Sequence, residues 1–412
     1  MEYREYIPSK DRDAIFRVWR EVGWIDKDRG KDKDRIVDDF LACGKAYVAE
    51  IRSEAECLVT ATPGEIKYQD KDLAFCAVSS VSTSRIARRK NIATNLTALA
   101  LSNAVSEGYH VAGLGIFDQG FYNKLGFGNG AYENLVAFDP SNLTVETCKK
   151  IPYRLNSGDF ERIHDSRLRR FRGHGSISLL PCAFTHMDLS ETKNGFGLGF
   201  LDEESGRITH HMWILAKGEN GPYDVYWMAY EDIHQLPELL AVLKDLSDQV
   251  FTVRLREPPG IQIQDLLTKP LRFQQVTRHG RFENSMIFSS CHQVRMLAVV
   301  PCVKNTRLQR DGPKFNLRLH DPIEKYLPEN STWRGVSGHF TVEFGRKSSI
   351  TTGTDSNLPT MSASVGAFTR MWLGVRAATS LSVTDDLEAE PGLLSKLDEL
   401  FRLPAPIPDW EF

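Results

Sequence analysis

The chain has 412 residues, of which 41% are apolar and 25% charged, and its net charge is −3. That length suggests about two to four domains, the composition is that of an ordinary globular protein, and the near-neutral charge leaves no electrostatic footprint for nucleic acid. No run approaches the ~18 consecutive apolar residues of a membrane span, and the opening MEYREYIPSKDRDAIFRVW lacks the apolar core of a signal peptide. Seven cysteines, Cys43, Cys57, Cys76, Cys148, Cys182, Cys291 and Cys302, stand singly with no C-x-x-C. They argue against a disulfide framework or a zinc site and for a reducing, cytoplasmic setting.

Ile15, Val18, Trp19 and Val22 recur at helical spacing, which predicts a first helix with one buried face. The interleaved charges of Asp26–Arg35 predict a solvated loop. Strands are expected over Lys45–Ile51, Glu56–Thr62 and Leu73–Thr83, the last central to a sheet because it is apolar or small almost throughout. A helix from Ile92 to Glu107, closed by Gly108, comes next. Val111–Ile116 returns to strand and FYNKLGF to a short helix. The pattern breaks at Asp139–Asn142. Beyond it, helices are predicted over Asp159–Phe171, Leu236–Leu246 and Asp265–Leu271, with strands at His210–Lys217, Val225–Tyr230 and Val250–Leu255. A third region starts near Ser285, with strands at Met296–Val303, Phe315–Leu319 and Ser337–Phe344. Helices follow at Val365–Leu373 and Gly392–Arg402, then a Pro-rich tail. The alternation argues for α/β or α+β domains.

The stretch Val78–Thr94, VSSVSTSRIARRKNIAT, carries the chemistry. A core strand ends, a basic loop follows and a helix starts. The unsatisfied N–H groups of a helix N-terminus form an anion site suited to a pyrophosphate. Arg88, Arg89 and Lys90 add charge there. Asn91 stands where the loop needs a left-handed residue, for which Asn is second only to Gly. Ala93 is small enough for a ligand to approach the first turn. The pattern R-x-x-N-x-A resembles the acetyl-CoA signature R/Q-x-x-G-x-G/A of the GNAT acetyltransferase superfamily, with Asn91 replacing the first glycine. Thirty residues on, Tyr122–Phe127 reads Y-N-K-L-G-F, similar to a recurring GNAT segment whose Tyr lies near the thioester sulfur. Tyr, with an unperturbed pKa of about 10, can protonate a departing thiolate.

A GNAT domain, a second region of similar size and a third α+β region ending in a free Phe resemble the Eis (enhanced intracellular survival) acetyltransferases over essentially all of the chain. The sharpest points are residues 78–94, residues 120–128, DPIEKYLP at Asp321–Pro328, LGVRAATSL at Leu373–Leu381 and the tail PIPDWEF. The resemblance implies an α+β chain of three parts: a catalytic GNAT domain over residues 1–150, a second GNAT-like domain without an acetyl-CoA site over 151–284, and a domain like sterol carrier protein over 285–412. It implies that the terminal carboxylate reaches back into the first domain's active site, and that the chain assembles as a hexamer. The tail itself fits docking: three prolines stiffen it, and Trp410 and Phe412 can anchor it.

The expected activity is transfer of acetyl from acetyl-CoA to a primary amine, either an aminoglycoside-like polyamine or a lysine side chain. Arg88, Arg89, Asn91, Ala93 and Thr94 would hold the pyrophosphate, and the backbone near Val81 and Thr83 the acetyl carbonyl and pantetheine arm. Tyr122 would be the general acid and the Phe412 carboxylate the base. Trp24, Asp26 and Glu411 would form the acceptor pocket. No metal is needed. Two alternatives stand beside this reading: a non-catalytic protein that binds CoA or a hydrophobic ligand, and an acyltransferase using a longer acyl-CoA. Arg170–Gly175, RFRGHG, also fits R-x-x-G-x-G, but it follows a helix and opens none; Gly173 is expected to close that helix. His210–His211 lacks further ligands at metal-site spacing.

Overall fold

The apolar and small residues between Lys45 and Thr83 fold into the three strands at the heart of the first sheet. The computed structural model describes residues 1–26, 30–117, 120–269 and 280–412. The N-terminal elements are β1 (Glu2–Glu5), α1 (Pro8–Val22), α2 (Lys31–Ala42), β2 (Lys45–Ile51), β3 (Glu54–Tyr68), β4 (Lys71–Thr83), α3 (Ile92–Ser106) and β5 (Val111–Gly115). Strands β1 to β4 are antiparallel in order, and β4 runs parallel to β5. Strand His292–Met296 then pairs with β5, and Gly128–Asn129 pairs with that strand. Helix α1 buries Ile15, Phe16, Val18 and Trp19, and Gly23 ends it in a left-handed turn with φ 81°, as a helix C-terminus favours.

Three sequence expectations are corrected here. The charged stretch read as a loop is helical from Lys31 onward, with residues 27–29 outside the described ones. Asp32 and Asp34 sit in its first turn, where the helix dipole favours acids, and Val37, Phe40 and Leu41 give it a buried face. Met296–Val303, expected as a strand, divides: pairing with β5 stops at Met296, and Val299–Asn305 is a helix that buries Val299, Cys302 and Val303. The predicted helix at Asp265–Leu271 is a single 3₁₀ turn at Ile263–Leu266, with residues 270–271 outside the described ones.

The chain forms two compact units, one of residues 1–131, 174–180 and 290–412 and the other of 132–173 and 181–289. In the second, seven strands among the described residues run in the order Ser285–Ser289, Glu133–Phe138, Val253–Arg256, Tyr223–Tyr230, Ile208–Ala216, Gly195–Leu201 and Tyr153–Leu155. Helix Leu236–Asp245 buries Leu236, Leu239, Leu240 and Leu243 in this unit's core. In the first unit, a further sheet of five strands among the described residues is formed by Ser349–Thr352, Gly338–Glu343, Lys314–His320, Thr360–Ser364 and Leu387–Glu388. Helices Val365–Trp372, Ala378–Thr384 and Pro391–Leu400 accompany it.

Two of the segments that carried the family resemblance are structural joints. Asp321 opens DPIEKYLP, accepts hydrogen bonds from the Ile323 and Val336 amides at 3.2 and 2.9 Å, and pairs with Arg295 at 2.7 Å, both side chains fully buried. Arg295 in turn donates to the Leu125 carbonyl. Leu373, which opens LGVRAATSL, accepts from His174 Nε2 at 2.9 Å; His174 Nδ1 accepts from the Gln69 amide at 3.1 Å, which fixes the neutral tautomer.

Residues 174–180 serve the tail. Ile177–Leu179 pairs with β3 on its Gly64–Ile66 stretch. The tail lies along the same segment: the Ile407 amide donates to the His174 carbonyl at 3.1 Å, the Ile177 amide to the Pro408 carbonyl at 2.8 Å, and Ser176 Oγ to Asp409 Oδ1 at 2.5 Å. Gly175 has φ 82°, and a Cβ there would stand 2.4 Å from Pro406. The RFRGHG glycine is thus a site of close backbone approach. The preceding helix ends at Arg169, not at Gly173, whose φ is not left-handed.

Candidate active site

β4 and β5 pair only through Phe75–Val111, Cys76–Ala112 and Ala77–Gly113. Beyond Ala77 the two strands no longer bond to each other. A bulge helps part them. Leu58 faces Ser82 and Thr60 faces Ser79 on β3 and β4, so Ser80 and Val81 together oppose Val59, and Ser80 takes φ 54°. Bulges bend a strand and strengthen its twist. The end of β4 therefore presents backbone N–H and C=O groups to a cleft rather than to a neighbouring strand.

Helix α3 begins at the mouth of that cleft. Asn91 is its N-cap with φ 57°, and its side chain caps no amide. Asn tolerates this left-handed geometry better than other residues with a Cβ. The first-turn amides of a helix have no intrahelical acceptor, so those of Ile92, Ala93 and Thr94 face outward as donors. Arg88, Arg89 and Lys90 are exposed beside them.

A cavity of about 870 Å³ joins these parts. Val78–Thr83, Ala87–Thr94, Gly115, Phe121, Tyr122 and Phe412 all border it. The structure thus brings together Val81, Thr83, Arg88, Arg89, Asn91, Ala93, Thr94, Tyr122 and Phe412, with Trp24 at the rim, 47% exposed. Asp26 and Glu411 are exposed and are not among its lining residues. Sequence reasoning missed Val22, Phe117, Phe121, Lys124 and Gly115, which also line it. Gly115 had a signal, since a glycine at a strand end often marks close approach of another backbone.

Tyr122 opens a 3₁₀ turn, Tyr122–Leu125, where a short helix was expected. Its ring is 5% exposed and meets Phe121 edge-on at 4.8 Å. Burial, reinforced by nearby Cys57, pushes its phenol well above the ordinary tyrosine range. It therefore stays protonated at neutral pH. Phe412 lies across β5: its ring packs edge-on to Phe75 at 5.8 Å and beside His292 at 5.2 Å. A Cβ on Gly115 would stand 3.0 Å from its backbone oxygen. Among the described residues no group of three His, Cys, Asp or Glu side chains is placed to hold a metal ion, and no helix is long and apolar enough to cross a membrane.

A split parallel strand pair, a basic helix N-terminus and a buried phenol share this one cavity. Residues 2–130 match the model of the family described as "Acetyltransferase (GNAT) domain". That segment is a GNAT acetyltransferase domain, and the chain is an N-acetyltransferase. None of the curated proteins matches the chain in sequence. Among solved structures, the chain is similar to a conserved protein of unknown function, a probable N-acyltransferase, from Enterococcus faecalis, at 14% identity and TM-score 0.79 over 100% of this chain and 99% of that one. It is similar to Eis1 from Mycobacterium abscessus at 16% identity and TM-score 0.77, with 100% of both chains covered. A GCN5-related N-acetyltransferase from Kribbella flavida gives 15% identity and TM-score 0.75 over 100% of this chain and 98% of that one. These likenesses are of fold.

Proposed function

We propose that the chain transfers the acetyl group of acetyl-CoA directly to a primary amine, an aminoglycoside-like polyamine or a lysine side chain. The observation that carries the reading is the single cavity shared by the α3 N-terminus, the parted ends of β4 and β5, Tyr122 and Phe412. The amides of the first α3 turn, with Arg88 and Arg89, bind the pyrophosphate, as helix N-termini bind anions; Asn91, Ala93 and Thr94 shape that cradle. Backbone groups from Val81 to Thr83 hold the pantetheine arm and polarise the acyl carbonyl. Phe412 bears the carboxylate that takes a proton from the amine as nitrogen bonds to the carbonyl carbon. Tyr122 gives its proton to sulfur as the carbon–sulfur bond breaks. The burial that raises the phenol also raises the proton affinity of a thiolate released beside it, so the transfer stays matched. Trp24 flanks the acceptor, while Asp26 and Glu411, lying outside the lining, draw a cationic amine towards the mouth.

On this reading the chain is of Eis type, with a catalytic part over residues 1–150, a second GNAT-like part over 151–284 and a part like sterol carrier protein over 285–412. It works as a homo-oligomer, a hexamer by that resemblance, in the cytoplasm. The fold likeness to Eis1 and the five-stranded sheet of the last region support a chain of this type. The test is calorimetry with acetyl-CoA. One site per chain is expected, and the double reversal Arg88→Glu with Arg89→Glu should remove it. Two sites, or binding indifferent to the reversal, contradict the reading.

A further inference from the structure

Gly115 and Phe412 border the cavity, and behind them stand a second ring and a second glycine, Phe75 and Gly113. Where β4 and β5 meet, Phe75 is fully buried, and its ring lies across the sheet face onto β5. A Cβ on Gly113 would stand 2.6 Å from the Phe75 ring tip, so only glycine leaves that tip its place. Gly113 and Gly115 project to the same face, since residues two apart on a strand share one. The pair therefore makes a trench along β5. Phe75 fills its inner half beside Gly113; at its outer half Phe412 sets its backbone oxygen against Gly115, and the two rings meet edge-on at 5.8 Å. His292, paired with Gly115 across the strands, closes the far side against Phe412 at 5.2 Å. Phe412 and Gly115 border the cavity; Phe75 and Gly113 lie just beyond its lining.

We propose that Phe75, together with the Phe412 ring it seats, sets the acyl length this enzyme accepts, restricting the donor to acetyl and other short acyl-CoA thioesters. The inference rests on the reading that the β4–β5 cleft holds the acyl-CoA. An acyl group attached at the parted strands has its methyl end pointed at the place where the strands rejoin. There the Phe75 and Phe412 rings occupy the space a longer chain would need. The interior is packed at crystal density, so extra methylenes find no void and must displace a ring. Phe75 is thus a specificity-determining residue, and it also positions Phe412 by supporting its ring. A smaller residue at 75 opens a channel continuous with the cavity.

The experiment compares kcat/KM for acetyl-, butanoyl- and octanoyl-CoA, with a simple primary amine, in the wild type, Phe75→Leu and Phe75→Ala. Wild type should favour acetyl over octanoyl by at least about a hundredfold, since a pocket discriminates about tenfold or more per methylene it cannot fit. Phe75→Ala should narrow that ratio by at least about tenfold, and Phe75→Leu should fall between. Calorimetric acetyl-CoA affinity should stay within about threefold of wild type in both, since the phosphate cradle is untouched. A wild type that uses octanoyl-CoA as well as acetyl-CoA overturns the proposal with no variant needed. So does an unchanged ratio in Phe75→Leu, the milder substitution, with acetyl-CoA still bound. A wild type that binds no acyl-CoA at all overturns the underlying reading instead, which separates the two failures.

Discussion

Tyr122 stands at the point where burial and chemistry meet. Its hydroxyl is needed only as the thiolate leaves, so Tyr122→Phe should lower turnover and leave acetyl-CoA affinity within about threefold of wild type. General acids contribute about 100- to 10,000-fold, and a loss in that range is the expected outcome of steady-state kinetics. Turnover within about twofold of wild type would remove Tyr122 from the mechanism. The residues of the phosphate loop were readable in advance because they are contiguous: strand, basic loop and helix start follow within 17 residues of sequence, Val78–Thr94. Asn91 could be placed as the left-handed residue from its chemistry alone, and it has φ 57°. Gly113 and Phe75 could not be read in the same way. Their meaning lies in Phe412, roughly 300 or more residues downstream, and no local pattern links a strand glycine to a distant ring. Asp26 and Glu411 were candidates by charge alone, and charge does not say which way a side chain faces.

At the scale of elements, periodicity found the helices with a clean apolar stripe and missed α2, whose charged first turn hides the buried face of Val37, Phe40 and Leu41. It also could not separate strand from helix within the apolar run after His292, since short apolar runs carry no distinguishing period. One element pair in the second unit carries a pH dependence that no pattern foretells. Helix Phe160–Arg169 lies over strand Ile208–Ala216, and between them His211 is fully buried. Its Nε2 accepts from Trp227 Nε1 at 3.1 Å, and its Nδ1 meets Ser166 Oγ at 3.0 Å. Burial, then the Arg167 charge, pushes its pKa down to about 3, against about 6.5 in an unfolded chain. The unfolded chain thus binds the proton that the folded one refuses. The stabilising contribution is complete above about pH 6.5 and falls as pH drops below that value, down to about 3. Its slope is about 1.4 kcal/mol per pH unit. Denaturant titrations from pH 7 to 5 should show the wild type losing stability with acid. His211→Gln should be weaker at pH 7 but less acid-sensitive by one proton's worth. Parallel curves for the two would mean that His211 titrates normally in the folded state.

Across the whole molecule, composition, alternation of strands and helices, and the match of residues 2–130 to an acetyltransferase domain agree on the α+β architecture. Sequence order hides one thing: residues 174–180 leave their neighbours to pair with β3 and to carry the tail. The tail had three legible features, its prolines, its aromatics and its terminal acids. The structure adds its route. Trp410 is buried at 1% exposure, Asp409 is tied to Ser176, and the last residue reaches the cavity beside Tyr122. If the Phe412 carboxylate is the base, its position matters more than its side chain. Deleting Phe412 retracts the carboxylate by one residue, up to about 3.5 Å, and a misplacement of about 1 Å can cost a hundredfold in rate. A C-terminal tag converts the carboxylate into a neutral amide. Both changes should cut turnover on an amine by at least about a hundredfold, while acetyl-CoA affinity survives because the α3 cradle is elsewhere. An N-terminal tag should do neither. The deletion has a second signature: removing Phe412 vacates the outer half of the β5 trench, so whatever activity remains should tolerate longer acyl donors than the C-terminally tagged enzyme does. Undiminished turnover in the deleted or tagged enzyme would exclude the carboxylate as base. It would return that role to Glu411, Asp26 or a water.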